Sequence, residues 1–117
     1  MHIFDLEKRT TMFAKRTIHL CHALPKNAMN NRLIGQLTGS AGSIGANYRE
    51  ANDSLGKKDF LLRMRIARRE SKECLHWLEL VAEANPDMVK RMQALVKEGT
   101  EIKKILSTII TKTDHPL

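Results

Sequence analysis

Apolar residues in this chain return to one helical face in four successive stretches, and polar or proline-bearing breaks separate the stretches. In the first, Leu6, Phe13, Leu20 and Leu24 recur at intervals of seven, seven and four residues with Ala14 and Cys21 beside them, as one buried face of an α-helix requires. Pro25 ends that helix. Asn30 or Asn31 can cap a second helix, whose apolar face of Leu33, Leu37, Ile44, Tyr48 and Ala51 runs into the polar Asn52-Asp53-Ser54 break. A third helix follows Gly56, with Phe60, Met64, Ala67, Ser71, Cys74, Leu75 and Leu78 toward the core and Asp59 near the positive end of its dipole. Asn85-Pro86-Asp87 closes it and opens a fourth, since Asn85 suits an N-cap, proline the first helical position and aspartate the first turn. Met88, Met92, Leu95, Ile102, Leu106 and Ile109 then share a face before fraying is expected at Thr113-Asp114-His115-Pro116.

Helices are therefore predicted over roughly 5–24, 31–52, 57–84 and 86–112. Short connections between helices of this length make up-down-up-down neighbours the cheapest packing. The expected fold is all-α, an antiparallel up-and-down four-helix bundle, with residues 1–117 forming a single domain. A hydrophobic content of 42% is enough for one core, and the scarcity of aromatics, 4%, beside abundant Ala, Leu, Met, Lys, Glu and Arg points the same way. No apolar run approaches the roughly 18 residues that cross a bilayer, so a soluble protein with no membrane partner is expected. Cys21 and Cys74 have no CxxC spacing, and no charged, apolar and small-residue leader precedes them, which predicts a reduced, cytoplasmic setting.

Gly35, Gly39, Gly42 and Gly45 all fall inside the second helix, where each costs up to about 1 kcal/mol relative to alanine. They cluster away from the leucine face. Two readings stand: a weak helix held by its neighbours, or a surface nearly free of side chains where another subunit's backbone approaches.

The third helix divides into three stripes. Beside its core face run Lys58, Arg65, Arg69, Lys72 and His76, and beyond them Leu62, Ile66, Trp77 and Leu80. A monomeric bundle rarely exposes such an apolar set, and Trp is typical of an interface anchor. Self-association through Leu62, Ile66, Trp77 and Leu80 is preferred here to a splayed bundle that covers the third helix on both sides within one chain. Between Lys57 and Lys72 stand seven basic residues, including Arg63 and Arg68, against Asp59 and Glu70, so this stretch carries +5 of the net +7. Clustered cations are the footprint of a phosphate-binding surface, with Lys58, Arg65, Arg68, Arg69 and Lys72 as its candidates. A solvated face or the docking site of an acidic protein reads the same way. The absence of interleaved aromatics argues against a stacking platform for single strands.

Catalytic and metal motifs are poor. His19, Cys21 and His22 are close in sequence, but on a helix Cys21 faces the core and His22 faces away. Cys74 lies on the core stripe as a small apolar filler. No phosphate loop, nucleophile-base arrangement or carboxylate pair stands out, so no enzyme activity, metal or cofactor is expected. Glu70, Glu73 and Glu79 are expected to pair with Arg49 and with arginines of their own helix. Ser40, Ser43 and Asn47 lie beside the Leu33/Ile44 face, and a polar network of Ser43, Asn47, Arg49, Glu70 and Glu73 tying the second helix to the third is preferred to a ligand site.

The segment Ser43-Ile44-Gly45-Ala46-Asn47-Tyr48-Arg49-Glu50-Ala51, with Lys58-Asp59-Phe60 and the run from Arg69 through Trp77 to Leu80, resembles the bacterial four helix bundle protein family, also called the 23S rRNA intervening-sequence protein family. The similarity spans nearly the whole chain. It implies an antiparallel four-helix bundle that assembles into a homo-oligomer, commonly a pentamer, with no known enzymatic activity. A distantly similar group consists of basic accessory proteins to reverse transcriptases, which bind protein and nucleic acid. Gly56 departs from the serine cap that relatives often carry before the third helix. Two function classes follow: an oligomeric module that binds RNA or another nucleic acid, or a structural oligomer that docks an acidic protein.

Overall fold

Helix α1 spans Leu6–Ala23, α2 Ala28–Asn52, α3 Lys57–Ala84 and α4 Val89–Asp114 in a computed structural model that describes residues 5–115. A 3-10 turn, Pro86–Met88, leads into α4. Each helix packs on its neighbours in sequence and α1 closes the ring against α4, which leaves α1 and α3 on one diagonal and α2 and α4 on the other. The bundle measures 48 × 23 × 20 Å. This is the all-α antiparallel four-helix bundle read from the periodicity.

The predicted faces bury themselves: Leu6, Phe13, Leu37, Ile44, Met64, Leu78, Ile102 and Leu106 are closed to solvent. Each buried side chain of this kind contributes about 1.5–3 kcal/mol. The covered arcs are shifted or broader than one stripe, because every helix meets two neighbours. On α3, Leu61 and Val81 join the core while Phe60 and Leu75 are only half-buried; on α4, Ile110 is buried and Ile109 half-buried, as is Met88 in the 3-10 turn before it.

The helix ends differ from expectation in three places. Asn27, not Asn30 or Asn31, caps α2, its side chain accepting the Asn30 backbone N–H at 2.8 Å, so the helix begins a turn early at Ala28. Asn30 is thereby turned inward and buried. Asn85 likewise makes no side-chain cap; its amide is spent on Asn30, with Nδ2 donating to Asn30 Oδ1 at 2.9 Å and Oδ1 accepting from Asn30 Nδ2 at 3.0 Å. Asn85 Nδ2 also donates to the Val81 carbonyl, and Asn30 Nδ2 to that of Pro25. α4 does not fray at Thr113 but continues to Asp114, where Arg65 holds the carboxylate; Pro116 lies outside the described residues. At Gly56 the extended backbone starts α3 with no side-chain cap, and Phe60 N–H bonds its carbonyl at 2.9 Å.

Two glycines bring helices together. A Cβ on Gly45 would stand 3.0 Å from Thr10 Oγ1, so α1 lies against the α2 backbone there. Gly45 is thus part of the internal contact and not of the outward glycine surface. A Cβ on Gly99 would stand 3.1 Å from Phe13 Cζ and 3.2 Å from Leu75 Cδ2, so α1 and α3 side chains meet over α4. Thr10 and Thr17 are tolerated in the core because their hydroxyls donate to the Leu6 and Phe13 carbonyls, each at 2.9 Å.

The α1–α4 seam is closed by charge. Arg9 grips both oxygens of Glu98, at 2.6 and 2.8 Å, and reaches Glu101 at 3.0 Å. The hydrogen bond from Arg9, outweighing burial, lowers the Glu98 pKa. The carboxylate therefore stabilises the fold at neutral pH, and its contribution is lost as acid protonates it.

Candidate nucleic-acid interface

The basic stretch occupies the N-terminal half of α3. Lys58, Arg65 and Lys72 follow one another at seven-residue steps and are exposed, as is Arg69, while Arg68 is half-buried. Arg65 Nη2 donates to Asp114 Oδ2 at 2.8 Å. None of the other four is hydrogen-bonded or ion-paired to a carboxylate among the described residues. A charge held in water by a fold that supplies no counter-ion is available to an external anion.

Leu62 and Ile66 share one hollow with Arg65, Arg68, Arg69 and Lys72. The apolar stripe and the basic band are therefore interleaved on this half of α3. Leu62 and Leu80 are exposed, at 55% and 37%, whereas Ile66 and Trp77 are half-buried. Trp77 packs partly on the core, lines a hollow with Met29, Arg32, Leu33, Gly35 and Gln36 of α2, and meets the His76 ring edge-on at 5.1 Å. Covering within one chain thus accounts for much of Trp77. Gly35, Gly39 and Gly42 point away from the bundle, with nothing within 4 Å of where a Cβ would stand.

The expected polar network takes a different form. Asn47 Nδ2 donates to the Ser43 carbonyl of its own helix at 2.9 Å. Arg49 turns to α1, pairing with Glu7 at 3.1 Å and donating to Thr11 Oγ1 at 3.1 Å, and makes no bridge to Glu70, Glu73 or Glu79. Its place on α2, beside α1, decides the partner. Glu70 is half-buried, and desolvation, with the nearby Glu73 charge, holds its carboxyl above the usual range. His19 and His22 are exposed, Cys21 half-buried and Cys74 buried; burial pushes the Cys74 thiol up to about 12, so it stays protonated at neutral pH. Among the described residues no three His, Cys, Asp or Glu side chains form a metal-holding group, and no helix is long and apolar enough to cross a membrane.

Sequence reasoning missed the row of cations on α4. Lys90, Lys97 and Lys104 are also seven residues apart, all are exposed and none is ion-paired among the described residues. Their spacing was the available signal, opposite the Met92/Ile102 face. The Arg65–Asp114 bond and the contact of Leu75 with Gly99 set α3 antiparallel to α4, which brings Lys72 level with the segment holding Lys103 and Lys104.

The model of the 23S rRNA-intervening sequence protein family matches residues 4–108. The chain belongs to that family. The matched span contains both segments that carry the resemblance, from Ser43 to Ala51 and from Arg69 to Leu80. A solved structure from Bacteroides thetaiotaomicron VPI-5482, described as a protein with unknown function from the S23 ribosomal protein family, is similar at 30% identity. The likeness covers 91% of this chain and 95% of that one, with a TM-score of 0.83. No curated protein matches the chain. The family description, 23S rRNA-intervening sequence protein, names no reaction.

Proposed function

We propose that this family member is a non-enzymatic, homo-oligomeric module that binds RNA through the cations of α3. The observation that carries the reading is the +5 stretch from Lys57 to Lys72, whose cations stand exposed or half-exposed on one helix and, apart from Arg65, without a carboxylate partner among the described residues. The family's description as a 23S rRNA-intervening sequence protein hints at an association with RNA. The setting proposed is the reducing bacterial cytoplasm, which suits two free cysteines.

Binding of this kind releases counter-ions, so its signature is salt. If about five phosphates are neutralised, affinity for RNA should fall on the order of 100- to 500-fold between 50 and 200 mM salt. A filter-binding titration measures this. Absence of RNA retention at 50 mM salt would select the alternative, a structural oligomer whose cations dock an acidic protein.

Self-association is supported by a surplus. Three outward glycines forgo about 3 kcal/mol of helix stability, a large part of what a domain of this size possesses, with no close contact inside the chain to offset it. Leu80 adds an exposed aliphatic two turns beyond Lys72, so a contact centred on Leu80, Trp77 and the glycine face of a neighbouring subunit leaves the cations open. Such a face-to-different-face contact closes into a ring when the rotation permits, as in the pentamer implied by the resemblance. Light scattering at micromolar concentration should give a multiple of 13.3 kDa. Gly39→Leu, which has room in the free chain, should reduce it toward the monomer; a monomeric parent would refute the assembly, and an unaffected variant would refute this face.

A further inference from the structure

A chain that binds single strands offers a groove tracking one phosphate row and aromatic rings on which bases stack. At the α3 cations this bundle offers a hollow but no ring. Among the described residues Phe13 and Tyr48 are buried and Phe60 and Trp77 half-buried, and no Phe, Tyr or Trp ring lines the hollow of Arg65, Arg68, Arg69 and Lys72. The cations stand on the convex backs of two helices, in two rows. Lys58, Arg65 and Lys72 form the row on α3, and Lys97 and Lys104 the row on α4.

Within a row, seven helical residues advance about 10.5 Å. Between rows, packed helix axes lie about 8–10 Å apart, and side chains directed outward from each axis carry their charged ends further apart. A single strand has one line of phosphates to meet these rows. A double helix has two, one on each side of a groove, and in A-form RNA the wide, shallow minor groove is read through shape and backbone contacts. Carboxylates interrupt the strip at three points: Asp114 is bonded to Arg65, the middle cation of the α3 row, Asp59 lies beside Lys58 and Arg65, and Glu79 lies near Lys97. Glu101, on α4, is drawn toward α1 by Arg9.

We propose that the RNA this surface takes is a double helix, gripped across a groove by the α3 row on one strand and the α4 row on the other. The inference rests on the RNA reading above and adds the substrate class and the α4 residues. It predicts recognition by shape and backbone, tolerant of sequence.

The test uses the full chain with a mixed-sequence two-stranded RNA duplex of about 20 base pairs, longer than the roughly 16 that a shape-reading domain spans, and with each of its strands alone, at one salt concentration. The duplex should bind at least tenfold more tightly than either strand. Lys97→Glu with Lys104→Glu should weaken the duplex at least tenfold and the strands less than threefold; Lys97→Gln with Lys104→Gln, which brings no repulsion, should show the same ordering at smaller size. Equal or tighter binding of the strands, or a duplex indifferent to both α4 variants, overturns the proposal while leaving RNA binding in place. If neither form binds at 50 mM salt, the RNA reading falls with it.

Discussion

Reversing three charges on α3, by Arg65→Glu, Arg69→Glu and Lys72→Glu together, is expected to abolish RNA retention while leaving helicity intact. The stretch from Lys57 to Lys72 holds seven basic and two acidic residues; the change leaves four and five, so +5 becomes −1. Each phosphate that is no longer neutralised takes about 0.7–0.9 from the salt slope, and three repulsive carboxylates oppose approach as well, so a loss of at least about a thousandfold is expected at 50 mM salt. The fold should tolerate the change. All three side chains are exposed, glutamate is nearly as good a helix former as the residues it replaces, and the one bond sacrificed, Arg65 to Asp114, is a surface pair worth about 0–1 kcal/mol. Filter binding and the helical circular dichroism signal measure the two outcomes. A folded triple variant that still retains RNA would show that α3 is not the contact surface.

Asn85→Ala is expected to cost about 2–4 kcal/mol. Asn85 and Asn30 are both buried, and each donates to and accepts from the other at 2.9 and 3.0 Å, joining the start of α2 to the end of α3. Truncating Asn85 removes three hydrogen bonds, leaves the Asn30 carbonyl oxygen buried without a donor, and opens a small cavity. Asn30→Ala should cost a similar amount, since the Pro25 carbonyl loses its donor too. The double variant should cost about 1–3 kcal/mol less than the sum of the single ones, because the orphaned partner is gone. Urea unfolding of the four proteins at equal protomer concentration gives the cycle, the fixed concentration keeping assembly from entering the comparison. A single-variant cost below about 0.5 kcal/mol, or strict additivity, would mean that water replaces the pair.

The fold was legible because its signals are local. Period and punctuation lie within one helix length, so Pro25, Asn52-Asp53-Ser54 and Asn85-Pro86-Asp87 located the breaks, and the faces of Phe13, Ile44, Met64 and Ile102 could be assigned without any knowledge of packing. The charge of α3 is likewise a property of composition along one segment. A helical wheel states where a side chain points around its own axis, but it does not state where the neighbouring axes lie or at what level they cross. That missing angle decided that Arg49 meets Glu7 instead of Glu70, that Gly45 lies under Thr10 while Gly35, Gly39 and Gly42 face outward, and that α2 covers part of Trp77. The missing level decided the rest. Asn30 and Asn85 stand 55 residues apart and meet only because the start of α2 and the end of α3 lie at the same height in the bundle. Lys103 and Lys104 came level with Lys72 only when the Arg65–Asp114 bond and the Gly99 contact set the register of two antiparallel helices. Angle around one axis is encoded in the order of residues; angle and height between axes are set by how side chains of different helices fill a shared interior, which no single segment contains.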